Sequence, residues 1–325
     1  MQRIVLACST FVLAGCASLI GARPLATAAP GATTFHTIVV AGRPRSFLVH
    51  LPPAAARHRV PLVLLFHGDG ANGNVIMDES HMNDYADSLG FAVVYPNGTG
   101  VLRYAFLHWN AATCCSYGVD HAVDDVRFAD TLVATLVRTL PIDSTHVYAA
   151  GFSAGGMLAL RLACESARTF NAVVDVAGVM PDTTCVPARP VSVMFFQGRK
   201  DNSLRSEFRT LLRRGRPFAT SLEAALRFWA RRDGCSRLTT RDSTASYQLE
   251  RAKGCPSPFE VRLYTINGHP HAWPGGARQW FFQPASARAL KASPLILEFF
   301  ERQAWSDEGG TAHLRRLSRS TPMEP

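Results

Sequence analysis

Short apolar runs alternate with longer amphipathic stretches along most of the chain. The runs 45–51 (RSFLVHL), 61–68 (PLVLLFHG) and 91–96 (FAVVYP) are rich in β-branched and aromatic residues and bounded by Gly and Pro, which predicts strands. Between the last two, residues 74–90 (NVIMDESHMNDYADSLG) have helical spacing and close on Gly90, predicting one helix. From Ala122 to Leu140, the residues Val126, Phe128, Leu132, Val133, Leu136 and Val137 share a helical face, and Asp124 and Asp125 stand in the first turn, where carboxylates suit the dipole. The series continues with strand 145–151, helix 154–166, strands 171–178 and 191–198, and a helix from Thr220 to Arg232 opened by a capping box to Glu223. Strand 260–266 and a last helix over about 286–302 complete it. Strands alternating with amphipathic helices imply βαβ units, a buried and mostly parallel sheet, and helices on both faces. One domain accounts for the whole series, without internal repeats.

The ends break this rhythm. Residues 1–15 carry one early cation, Arg3, and then an apolar run too short to span a bilayer with any margin, which reads as an export signal. Its end, Leu13 to Cys16 (LAGC), resembles the bacterial lipobox, in which cleavage leaves the cysteine as a lipid-modified first residue; Cys16 is the expected lipidation site. Cleavage near Ala26–Pro30 (ATAAP) is the alternative and would release a soluble secreted protein. Residues 16–34, rich in Ala, Pro and Thr, predict a flexible tether, 35–304 the folded catalytic domain, and 305–325 a polar, disordered tail.

Composition narrows the partners. With 47% apolar and 18% charged residues over 325 positions, the chain is globular and long enough for a large core. The formal charge is +9, but no basic stretch is interleaved with aromatics as a nucleic-acid groove requires, so no nucleic-acid partner is expected. Export changes how the cysteines read. Beyond the signal and Cys16 stand Cys114, Cys115, Cys164, Cys185, Cys235 and Cys255, an even set that in an oxidising compartment favours disulfides over metal ligands. Cys164 with Cys185 and Cys235 with Cys255 would each close a loop of about 20 residues. Cys114 and Cys115 are left to a vicinal bridge or to separate partners.

Candidate chemistry centres on Gly151-Phe152-Ser153-Ala154-Gly155, a G-x-S-x-G pattern that follows a strand and opens a helix. That setting is the nucleophile elbow, where small flanking residues permit a tight turn that exposes the serine hydroxyl. A serine hydroxyl needs a base, and the base needs an acid to fix its tautomer. In this architecture they follow the serine in the order acid, then histidine, each beyond a strand's carboxyl end. Asp201, just past strand 191–198, is the natural acid, and Asp175, inside strand 171–178, is the rival or a buried hydrogen-bonding residue. The loop after the last strand holds both His269 and His271, and local chemistry leaves either as the base. A His-x-His metal pair with Asp201 is the competing reading; it leaves the Ser153 context unexplained. Oxyanion donors are expected from the backbone N–H groups of Ala154 and of Asp69 in the loop 67–73 (HGDGANG), with the Asp69 carboxylate turned away and His67 structural.

Taken in order, FHGDG, HWNAATCC (108–115), VDDVRF (123–128), GFSAGGM, QGRKD, the Cys235 and Cys255 pair and HAWPGG (271–276) resemble the polyhydroxybutyrate depolymerase and feruloyl esterase group of secreted α/β-hydrolases, including its lipoprotein-type members. The similarity runs from about Phe35 to Arg302. It implies an α/β-hydrolase fold and a serine carboxylic-ester hydrolase without cofactor or metal, exported, and touching membrane only through an N-terminal lipid. Ser153 is then the nucleophile and Asp201 the acid. The family's histidine stands two residues before the tryptophan of a Trp-Pro-Gly corner, which selects His271. Trp109, Phe152 and Trp273 are the candidate pocket residues. After Asp201 the chain departs from the family, with Arg205, Arg209, Arg213, Arg214 and Arg216 in place of a glycine-rich segment. Acyl transfer by the same triad, and a non-catalytic relative that only binds polymer, are the alternative activities.

Overall fold

A computed structural model describes residues 24–304 apart from 113, 115, 181–182, 203–221, 279–285 and 287–289. Cys16, Cys115 and the five arginines beyond Asp201 lie outside the described residues. Strands β1 (Ala32–Val40), β2 (Arg43–Leu51), β3 (Val60–Phe66), β4 (Ala92–Pro96), β5 (Ile142–Phe152), β6 (Ala172–Val176), β7 (Ser192–Gly198), β8 (Arg237–Ser243), β9 (Tyr247–Lys253) and β10 (Val261–Ile266) form one sheet in the order β1-β2-β4-β3-β5-β6-β7-β10-β9-β8. The six central strands from β4 to β10 run parallel, and β1, β2, β9 and β8 are antiparallel edges. Strand order steps outward in both directions from β3 and β5, so the loops after these strands open at one edge where a site can form.

Alternation along each strand feeds two cores. On β3, Leu62, Leu64 and Phe66 pack beneath α4 (Asp125–Thr139), α5 (Ala154–Glu165) and α6 (Leu222–Arg232). Val63 and Leu65 face the opposite layer, made by α1 (Gly73–Ser80), α2 (Met82–Leu89) and α7 (Ala292–Ala304). A short helix, α3 (Ser116–Asp120), lies in the connection before α4. The central strands are buried on both faces, which is why they read as continuous apolar runs.

Four expectations differ in detail. The helix expected over 74–90 is two, because His81 adopts a left-handed conformation (φ 51°) while Ile76, Met82 and Ala86 keep facing the core. Strand β1 starts at Ala32, and Leu25 and Ala28 pack against the core, so the sheet takes up residues expected in the tether. The last helix begins at Ala292 rather than near 286, since Ser286 Oγ is engaged at the Trp-Pro-Gly corner, donating to the Trp273 carbonyl and accepting from the Gly275 N–H. Strands β8 and β9 add an unforeseen hairpin, whose polar edge sequence lacks an apolar run.

Cys164 is bridged to Cys185 and Cys235 to Cys255. Cys114 is disulfide-bonded as well. Such bridges persist in an oxidising, extracellular environment. Among the described residues no helix is long and apolar enough to cross a membrane.

Candidate active site

Strand β5 runs into α5 through Ser153, whose φ of 53° and ψ of −118° are the strained geometry of a sharp strand-to-helix turn. The flanking glycines make the turn possible by close approach. A Cβ at Gly151 would lie 2.2 Å from the Gly155 carbonyl carbon, and one at Gly155 would lie 2.3 Å from the Phe66 oxygen. The serine therefore sits at the carboxyl edge of the sheet, at the amino end of a helix whose first N–H groups have no partner within it.

The chain brings Asp201 and His271 together from the ends of β7 and β10, adjacent parallel strands. Their loops are laced by backbone bonds from Arg199 N–H to Ile266 O and from Lys200 N–H to His269 O, each 2.9 Å. His271 Nδ1 donates to Asp201 Oδ2 at 2.7 Å, and Gln197 Nε2 donates to the same oxygen at 3.2 Å. A carboxylate only accepts, so this bond puts the proton on Nδ1 and leaves Nε2 with a free lone pair. The Asp201 side chain has 0% of its surface exposed and the His271 side chain 18%, an imidazole backed by a buried acid and open on its far side. Its ring lies 4.8 Å from that of Phe152, the neighbour of Ser153.

His269 is turned inward. Its Nε2–H donates to the Ala272 carbonyl at 2.9 Å, and burial lowers its pKa and keeps the ring neutral. Asp175 is buried beneath the elbow, where its Oδ1 accepts from the Gly178 N–H at 2.9 Å. Burial, reinforced by the charge of Asp201 and opposed by that hydrogen bond, pushes its pKa up to about 8. The space it fills exists because residue 156 is glycine: a Cβ there would stand 1.9 Å from Asp175 Oδ1.

The loop after β3 approaches from the other side of the turn, with Gly68 against the Phe152 ring. His67 lies under it, fully buried, with Nδ1–H donating to Gly68 O at 2.7 Å and Nε2 accepting from Gly98 N–H at 3.0 Å. Burial pushes this imidazole down to about 4, so it remains a neutral brace between two loops. The Asp69 carboxylate is engaged by His108 Nδ1 at 2.8 Å, a contact that sequence reasoning missed because the partners are 39 positions apart.

Two of the three pocket candidates do not line an opening. Trp109 is fully buried with its indole N–H on the His67 carbonyl, and Trp273 is buried with its N–H on Ser293 Oγ. Both support loops from behind; Phe152 alone of the three touches the His271 ring. Also missed was a buried pair, Arg45 and Asp125 at 2.6 Å, with the Arg45 guanidinium 3.8 Å from the Phe128 ring centre. The second Asp125 oxygen accepts from Asn110 N–H at 2.7 Å and anchors the loop that carries His108 and Trp109.

Residues 45–205 match the family model for esterase PHB depolymerase. NocK of Nocardia uniformis subsp. tsuyamanensis, a protein described as an esterase, is 31% identical over 273 residues, 78% of this chain and 77% of that one. Feruloyl esterase B of Piromyces equi is 30% identical over 182 residues, 54% of this chain and a 33% share of the longer relative. Among solved structures, an acetyl xylan esterase from Aspergillus awamori superimposes with a TM-score of 0.56 at 13% identity, covering 83% of this chain and 99% of that one, a likeness of fold. The chain belongs to the polyhydroxybutyrate depolymerase family of esterases, and on an α/β-hydrolase frame it is a serine-type carboxylic ester hydrolase.

Proposed function

We propose that Ser153, His271 and Asp201 form the catalytic triad. The observation that carries this reading is the Asp201-backed imidazole of His271, packed on Phe152 at the elbow where Ser153 stands. Ser153 Oγ attacks the ester carbonyl carbon as His271 Nε2 takes its proton. The backbone N–H groups of Ala154 and Asp69 hold the oxyanion, and the bond to the alcohol breaks as His271 returns the proton to the leaving oxygen. Water, deprotonated by the same imidazole, then releases the acid from Ser153. Asp201 keeps Nδ1 protonated throughout and stabilises the transient imidazolium.

The ester classes that fit this reading are aryl esters such as feruloyl, acetylated sugars and short hydroxyalkanoates. The nearest support is the mixture of relatives, among which a feruloyl esterase and a poly(3-hydroxybutyrate) depolymerase both match about half of this chain. Turnover of one member of each class by the purified protein ranks them. We also place the protein outside the cytosol on a lipid at Cys16; fatty-acid labelling that persists in Cys16→Ala rejects this anchor. For the triad, Ser153→Ala is expected to abolish turnover of an activated acetyl ester, and retention within about tenfold rejects the nucleophile.

A further inference from the structure

The sheet edge that carries Ser153 also has an opening away from the elbow. Strand β2 runs antiparallel to β4 with Phe47 opposite Pro96, so the start of β2 lies at the carboxyl end of β4, on the same edge as the elbow. In the sheet order, β4 and β3 separate β2 from β5, which puts this opening about 14 Å from the elbow at the usual strand spacing. An open cavity of about 480 Å³ is lined there by Thr37 of β1, the first residues of β2, the segment 98–104 and Tyr117 of α3.

Its lining has a consistent chemistry. Arg43 and Arg103 are exposed at the rim, no Asp or Glu lines the cavity, and neither arginine has an ion-pair partner among the described residues. Arg45, in the wall, is neutralised by Asp125, so the net positive charge comes from the rim pair. Two polar atoms of lining residues, Arg45 Nε and Thr99 Oγ1, are buried without a hydrogen-bond partner, although Arg45 itself is only 3% exposed. Tyr104 and Tyr117 supply ring surfaces, and the Arg103 guanidinium lies 5.2 Å from the Tyr104 ring.

Cations at the rim select an anion, hydroxyl groups of lining Thr and Ser residues suit a polyhydroxylated body, and tyrosine faces suit the C–H face of a sugar ring. We propose that this cavity is a subsite for a sugar acid, a carboxylate-bearing sugar unit, taken either free or as a member of the polymer whose ester Ser153 cleaves. The polymer source rests on the proposed hydrolase reading; the binding itself does not. A chain held here extends along the sheet edge toward the elbow.

The test uses the Ser153→Ala protein so that nothing is turned over during titration. Calorimetry is run with galacturonate, with trigalacturonate and with the methyl ester of the trimer, which keeps the shape and removes the charge. Trigalacturonate is expected to bind at least tenfold more tightly than its methyl ester, and Arg43→Ser with Arg103→Ser to weaken it at least tenfold. A trimer tighter than the monomer assigns the polymer source, and equal affinity assigns the free sugar acid. Equal binding of acid and methyl ester overturns the subsite, as does an affinity that survives loss of both rim arginines. Tighter binding of a hydroxycinnamate or of inorganic phosphate to the same residues also overturns it. Because binding is read without turnover, residual ester hydrolysis by Ser153→Ala would reject the nucleophile and leave the subsite result standing.

Discussion

Two histidine–aspartate pairs stand on the same sheet edge with nearly the same geometry, His271 with Asp201 at 2.7 Å and His108 with Asp69 at 2.8 Å. What separates them is their surroundings. The Asp201 side chain is wholly buried and shares its oxygen with Gln197, whereas the Asp69 side chain is 32% exposed, where water screens and competes for it. The first imidazole packs on Phe152 beside the Ser153 turn; the second sits on a loop whose backbone is bridged to Thr99. On the proposed assignment, a carboxylate near an imidazole is therefore not enough to make a base. The acid must be buried so that it fixes one tautomer, and the ring must be presented to the nucleophile.

Substitutions at the two pairs break or sharpen this contrast. Asp201→Asn is expected to lower kcat by about 10⁴-fold with the fold intact, because an amide can turn its NH₂ to Nδ1 and reverse the tautomer; kcat for an activated acetyl ester reads it. His271→Ala should cost at least as much. His108→Ala should lower kcat by less than about tenfold, acting through the Asp69 loop, and a loss comparable to that of His271→Ala would make the second pair catalytic. His269→Ala should act on stability rather than on chemistry, costing about 1–3 kcal/mol in a denaturant titration through the lost ring packing and hydrogen bond.

The last substitution acts on stability through its pH dependence, at another buried carboxyl, Asp175. Its native pKa is raised to about 8 from an unfolded value near 3.8, so between those limits the native state holds a proton that the unfolded chain has released. Its contribution to stability is complete below about pH 4, declines as pH rises and is lost above about 8. Asp175→Asn keeps the oxygen that accepts from Gly178 and removes the ionisation. The Tm of the variant relative to wild type should accordingly rise between pH 5 and pH 8. Asp233, raised by burial to about 7, works in the same direction in both proteins and cancels in the difference.

Legibility followed burial. The central strands announced themselves because both of their faces are covered, and the elbow did because two glycines and a serine at fixed spacing meet a strand and a helix. The edge strands β1, β8 and β9 interleave polar residues through their sequences (ATTFHTIVV, RLTTRDS, YQLERAK), so no apolar run marked them. Trp109 and Trp273 illustrate the opposite error. An aromatic near a motif reads as pocket lining, yet both rings are used to hold loops from within. The pairing of Arg45 with Asp125 spans 80 positions and carries no local mark at all.

Residue order by itself determined the βαβ architecture, the elbow at Ser153 and the sequence serine, aspartate, histidine at successive strand ends, because periodicity and turn chemistry are local properties of the chain. It also left His269 and His271 alike until the resemblance to a known family separated them. Only the tertiary structure decided which imidazole faces Asp201, that Asp175 is buried beneath the elbow instead, and that a cationic cavity opens three strands away from β5, beside β2. Those outcomes depend on which loops the sheet brings side by side and on how far each group is withdrawn from water, and neither quantity is written in the spacing of residues.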